Sequence, residues 1–252
     1  MSIAEKLQII AENEEKVYNA GYEKGKAEGG DTETAYNNGF ENGKQAEYDR
    51  FWDSYQQNGK RVLYTNAFGG AGWNDETFKP KYDMQPTDAY MMFRGTGITD
   101  LTNLNVDLDF SKATNMQYMF QWADTRIIGI LNAISVNNLN STFYYAVGLQ
   151  TIEKLVLRED GSNIFTGTFD LASKLANITI EGVIGNNFDI HWSPLTKESI
   201  TSIINALSPT VSGKTITFSK TAVQNAFGTD YDSSTEWTTL KNSKSNWTIT
   251  LS

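Results

Sequence analysis

The hydrophobic positions in the middle of the chain recur in blocks and follow no single short period. Each block has an aromatic-rich box ending in Phe, an apolar pair, and a β-rich run. Five boxes stand out: TNAF ending at Phe68, AYMMF at Phe93, MQYMF at Phe120, NSTF at Phe143 and FTGTF at Phe169, spaced by 25, 27, 23 and 26 residues. After four of them come the pairs Ile98 and Leu101, Ile127 and Ile130, Leu149 and Ile152, and Leu175 and Ile178. Runs such as RIIGIL, TIEKLVL and NITIEGVI follow. Each unit is therefore expected to form a turn or short helix, capped by Asp88, Thr114 or Asn140, and then one strand. A unit of this size cannot bury both its Phe and its strand residues. Stacking would do so, with Phe packed on Phe and the strands paired into a parallel sheet.

The two ends read differently. From Ile3, apolar or small residues at Ile3, Leu7, Ile10, Val17 and Gly21 alternate spacings of four and three, apart from Glu14, which is the pattern of a short coiled-coil seam. Gly21, Gly25 and Gly29 then recur every four residues, and AGYEKGKAE is echoed by NGFENGKQAE 18 residues on. Glycine at this spacing gives one helix face a smooth backbone stripe that admits close approach. A helical oligomerisation segment over residues 1–50 is expected, with Ile3, Leu7, Ile10, Val17, Gly21 and Gly25 as its contact positions. At the other end, TKESITSIINAL reads as a helix with Ile200, Ile203, Ile204 and Leu207 on one face and Pro209 just beyond it. The strand KTITF, helical stretches over KTAVQNAF and STEWTTLKNS, and the strand NWTITL follow. The expected fold class is an α/β repeat: residues 1–50 a helical stalk, 51–192 a leucine-rich-repeat-like solenoid with a parallel sheet, and 193–252 helix and strand coils that cap it.

Composition narrows the function classes. A formal net charge of −9 disfavours the clustered cations that bind nucleic acid by counterion release, and a polybasic hold on anionic membranes. With no cysteine there is no disulfide, thiolate metal site or cysteine nucleophile. The opening MSIAEKLQIIAENEEKV is acidic and lacks a long apolar core, so no signal peptide is expected, and no stretch is apolar enough to insert in a membrane.

Little of the chain reads as catalytic. The single histidine, His191, excludes a two-histidine zinc site. GGAGW at Gly69–Trp73 and GTG at Gly95–Gly97 lack the phosphate-cradling patterns and read as turns. Asp107 and Asp109, two apart in NVDLDF, would share a strand face at about 6 to 7 Å. That separation suits a glycosidase carboxylate pair or a low-affinity Ca²⁺ site, and equally a solvated strand face with Val106, Leu108 and Phe110 inward. Binding residues are sought among the aromatics near the boxes, Trp73, Trp122, Tyr144 and Tyr145, because flat amphipathic rings suit sugar and protein surfaces, and the same rings read equally as stacked core. No cofactor is expected.

The stretches AYMMFRGTGITDLTNL, NMQYMFQWADTRIIGIL and STFYYAVGLQTIEKLVL resemble the irregular leucine-rich-repeat proteins of the BspA-like type, found on gut bacteria and in their phages. The likeness covers residues 64–182 and departs from the regular consensus where Phe and Met replace Leu. The opening IAEKLQIIAENEEKVYNAGYEKGK, the junction EYDRFWDSYQQNGKRVLYTNAF and the closing LTKESITSIINALSPTVSGKTITFSKTAVQNAF are similar to tail-associated structural proteins of prophages in Gram-positive gut bacteria. The resemblance implies a non-enzymatic virion component. As a baseplate or fibre protein, expected as a homotrimer, it would contact other tail proteins and a host surface glycan or protein. It carries over no catalytic residue. The alternatives are a bacterial surface adhesin and a polysaccharide-degrading tail enzyme using Asp107 and Asp109.

Overall fold

The computed structural model describes residues 67–70, 73–76, 78–80, 83–104 and 106–252. The expected stalk, with Ile3, Leu7, Ile10, Val17, Gly21 and Gly25, lies outside the described residues. Among the described residues the strands are β1 (Ile127–Asn132), β2 (Thr151–Val156), β3 (Asn177–Glu181), β4 (Phe188–Asp189), β5 (Lys214–Phe218) and β6 (Trp247–Leu251). The helices are α1 (Lys197–Ala206), α2 (Lys220–Phe227) and α3 (Thr235–Asn242). All strand pairing is parallel, in two three-stranded sheets ordered β1-β2-β3 and β4-β5-β6, which makes this an α/β fold with few helices.

The register follows from the apolar runs. Ile128 aligns with Ile152 and Ile152 with Ile178, all buried, so one row of β-branched residues crosses the first sheet. The box phenylalanines make a second row. Ring centroids are 5.4 Å apart for Phe68 and Phe93, 5.2 Å for Phe93 and Phe120, 5.6 Å for Phe120 and Phe143, and 5.2 Å for Phe143 and Phe169. The planes are nearly parallel and all five rings are buried. Phe188 continues the row, tilted, at 5.5 Å from Phe169.

The boxes form turns, the first of the two expected forms, and not short helices. Residues two before and two after the Phe take positive φ: Met91 and Gly95, Tyr118 and Trp122, Ser141 and Tyr145, Gly167 and Leu171. This alternation aims every second N–H at the next unit. The N–H of Phe93 donates to the Met119 carbonyl (2.9 Å), that of Phe120 to Thr142 (2.8 Å) and that of Phe143 to Thr168 (2.9 Å). The intervening N–H groups close turns within the unit, as Met92 does on Ala89 and Met119 on Met116. A helix would have kept these donors to itself and left adjacent units unlinked.

Two further expectations shift. Asp88 does accept from an N–H two residues on, that of Tyr90, but Asn115 and Asn138 hold the equivalent place in the next units. Thr114 and Asn140 instead bridge units: Thr114 Oγ1 donates to the Thr87 carbonyl, and Asn140 Oδ1 accepts from the Thr166 N–H. In the unit after Phe120 the inward pair is Thr125 and Ile128; Ile130 is 60% exposed. A buried threonine hides the apolar rhythm here, its hydroxyl satisfied by the Ile98 carbonyl at 2.8 Å.

The carboxyl-terminal elements form where the pattern puts them. Thr196 caps α1 by accepting from the Ser199 N–H, and Ile200, Ile203 and Ile204 are its buried face. Helix α1 lies where a fourth strand of the first sheet would be. Ser199 Oγ accepts from the Ile178 N–H (2.9 Å) and Ser202 Oγ from the Ile180 N–H (2.8 Å), so two hydroxyls replace the strand carbonyls β3 would otherwise need.

Candidate functional site

The residues just after each Phe form a row across successive units. Arg94 and Gly95, Gln121 and Trp122, Tyr144 and Tyr145, and Asp170 and Leu171 occupy equivalent places. The N–H of Gly95 donates to the Gln121 carbonyl (2.8 Å), that of Trp122 to Tyr144 (3.1 Å) and that of Tyr145 to Asp170 (2.9 Å). The left-handed residue throws its side chain outward, and Trp122 and Tyr145 are 50% and 47% exposed. Their φ values are 58° and 57°, a region that costs an L-residue about 1–2 kcal/mol. Glycine takes the same place at Gly70 and Gly95, so the aromatic rings stand where a cheaper residue fits the backbone.

The row brings together three of the four expected binding residues. Tyr144 and Tyr145 are neighbours with ring centroids 6.5 Å apart, and Trp122 sits on the adjoining unit. Trp73 is not part of it, because its ring turns inward, edge-on to Phe68 at 5.4 Å and Phe78 at 6.2 Å. Arg94 joins the row unforeseen. Its guanidinium carbon lies 4.6 Å from the Trp122 ring centroid, and its Nε donates to Gln121 Oε1 at 2.8 Å. Nothing in the sequence flags a lone Arg or Gln; only the equivalence of positions counted from the box Phe could have found them.

At the far end of the row a polar cluster follows. His191 Nδ1 lies 2.6 Å from Asp189 Oδ1, and its ring is 4.9 Å from that of Trp192, which is 46% exposed. Asp170 faces this pair. Partial burial, with the Asp189 charge adding to it, raises the Asp170 carboxyl above the ordinary aspartate range, and His191 works against the rise.

Asp107 and Asp109 have different surroundings. Asp109 accepts from the Ser111 N–H (2.8 Å), the Ser111 hydroxyl (2.9 Å) and Gln85 Nε2 (2.5 Å), while Asp107 is exposed. Burial tends to raise the Asp109 carboxyl, but these donors outweigh it and hold it below the usual range. A glycosidase general acid needs a raised carboxyl, the opposite of the shift at Asp109, whose contacts with Ser111 close a turn. Among the described residues no three His, Asp or Glu side chains are placed to hold a metal ion, and no helix is long and apolar enough to cross a membrane. No protein-family model, curated protein or solved structure matches the chain.

Proposed function

We propose that the chain is a leucine-rich-repeat-like solenoid serving as a non-enzymatic phage tail or baseplate-associated protein. In this reading it meets a host surface glycan or protein through the row Arg94, Trp122, Tyr144 and Tyr145. The observation that carries the reading is the placement of Trp122 and Tyr145, half exposed, on adjoining units held in register by backbone hydrogen bonds. Trp and Tyr side chains have only two torsions to immobilise on binding, and an aromatic face suits the C–H face of a sugar or an apolar protein patch. The sequence resemblance supplies the phage setting.

The test is binding of the full chain to purified Gram-positive cell-wall glycan, compared with Trp122→Ala, Tyr144→Ala and Tyr145→Ala. Truncating a central aromatic anchor should weaken binding at least about tenfold while leaving the melting temperature near that of the parent. Unaltered binding in all three variants removes this face. Antibody to the chain should label the tail tip of an induced phage particle; label on the bacterial envelope alone would assign the surface-adhesin reading instead.

A further inference from the structure

Arg94 is held by two contacts that leave its hydrogen-bonding edge open. Trp122 lies against the guanidinium, and Nε is fixed by Gln121 Oε1. Among the described residues neither terminal guanidinium nitrogen has a partner and no salt bridge involves Arg94. Arg158 provides the contrast, with its fork closed on Asp160 through Nε at 3.0 Å and a terminal nitrogen at 2.7 Å. Gln121 adds to the demand. It is only 8% exposed, its oxygen is taken by Arg94, and its Nε2 donors meet no acceptor among the described residues. Buried donors without acceptors are uncommon and costly.

These groups can only donate, so the complementary ligand must bring acceptors. The planar guanidinium fork matches a carboxylate in two parallel hydrogen bonds. One local positive charge on a chain of net charge −9 matches a single negative charge better than a doubly charged phosphate. The exposed rings of Trp122 and Tyr145 beside the fork call for a flat, partly apolar body carrying that carboxylate. Asp170, beyond Tyr145 in the same row, would repel a second carboxylate.

We propose that Arg94, Gln121 and Trp122 form a subsite for the carboxylate of a hexuronate unit flanked by neutral sugars in a surface glycan. This inference rests on the receptor-binding reading and gives it a ligand class.

The experiment is calorimetric titration of the full chain with an oligosaccharide containing one hexuronate among neutral hexoses, and with the same oligosaccharide as its uronate methyl ester. The acid should bind at least about tenfold tighter than the ester, and added salt should narrow the gap. Arg94→Lys, which keeps the charge and loses the planar fork, should abolish most of that preference with the melting temperature unchanged. Equal affinity for acid and ester, or no binding of either, overturns the inference, as does a preference that survives in Arg94→Lys. If cell-wall binding still depends on Trp122 in that event, the receptor-binding reading stands without this subsite. If acid preference is found while cell-wall binding ignores Trp122, Tyr144 and Tyr145, the subsite stands and the wider reading falls.

Discussion

Glycine and larger residues share the left-handed positions of the boxes, and the difference between them is measurable. A Cβ on Gly95 would meet nothing within 4 Å, yet its φ is +66°, so Gly95→Ala isolates the conformational cost. It should lose about 1 kcal/mol in urea unfolding at an unchanged denaturant slope; wild-type stability would remove the strain argument. Asp170 offers a second residue-scale test. Its carboxyl is raised in the folded state, so its proton is held more tightly there than in the unfolded chain. Its contribution is therefore most favourable below the ordinary aspartate value and is lost as pH rises through the folded value. At neutral pH, Asp170→Asn should stabilise by a few tenths of a kcal/mol after screening, and by less in mild acid. Thermal unfolding at both pH values decides it, and a larger gain in acid would reverse the sign. Trp122, Tyr144 and Tyr145 were legible beside the box Phe. The left-handed backbone was not, because Met91, Tyr118, Trp122, Ser141, Tyr145 and Leu171 carry none of the glycine signal that such φ values usually leave.

The phenylalanine row and the first sheet are linked elements of one core, and each can be weakened alone. Phe120 stacks on Phe93 at 5.2 Å and on Phe143 at 5.6 Å, both nearly parallel. Phe120→Ala should cost about 3–5 kcal/mol by leaving a cavity between the two rings. Phe120→Leu should cost clearly less, since it keeps most of the volume and forfeits the ring contacts. At the margin of the sheet, Ser199→Ala and Ser202→Ala each leave a β3 N–H without its acceptor, a loss of about 1–3 kcal/mol. Hydrogen exchange should accelerate at Ile178 in the first variant and at Ile180 in the second; protection unchanged at both would show that other groups supply the acceptors. Strands β1 to β3 were legible because β-branched runs such as RIIGIL and NITIE leave a strong pattern. Helix α1 was legible from Thr196, its isoleucine face and Pro209. Strand β4 has only Phe188 and Asp189, too short to leave any period. The register after Phe120 was misread because Thr125 fills a slot that is apolar in the neighbouring units.

For the whole molecule, the repeat was the most legible feature, since five Phe boxes imposed their spacing regardless of how each unit bends. The oligomeric state belongs to this scale as well. If the seam from Ile3 to Gly21 joins copies, light scattering of the full chain should give a trimer or another oligomer, and removal of residues 1–50 should give monomers; a monomeric full-length chain would sink the stalk. The serines of α1 have a consequence at this scale too. A parallel sheet whose last strand bares its N–H groups invites strands from other molecules and can grow into insoluble material. Ser199 and Ser202 quench those donors with hydroxyls, which satisfy a strand without extending it. The first sheet is thus closed to recruitment past β3, and a strand from another molecule finds the N–H groups of Ile178 and Ile180 already taken on that edge.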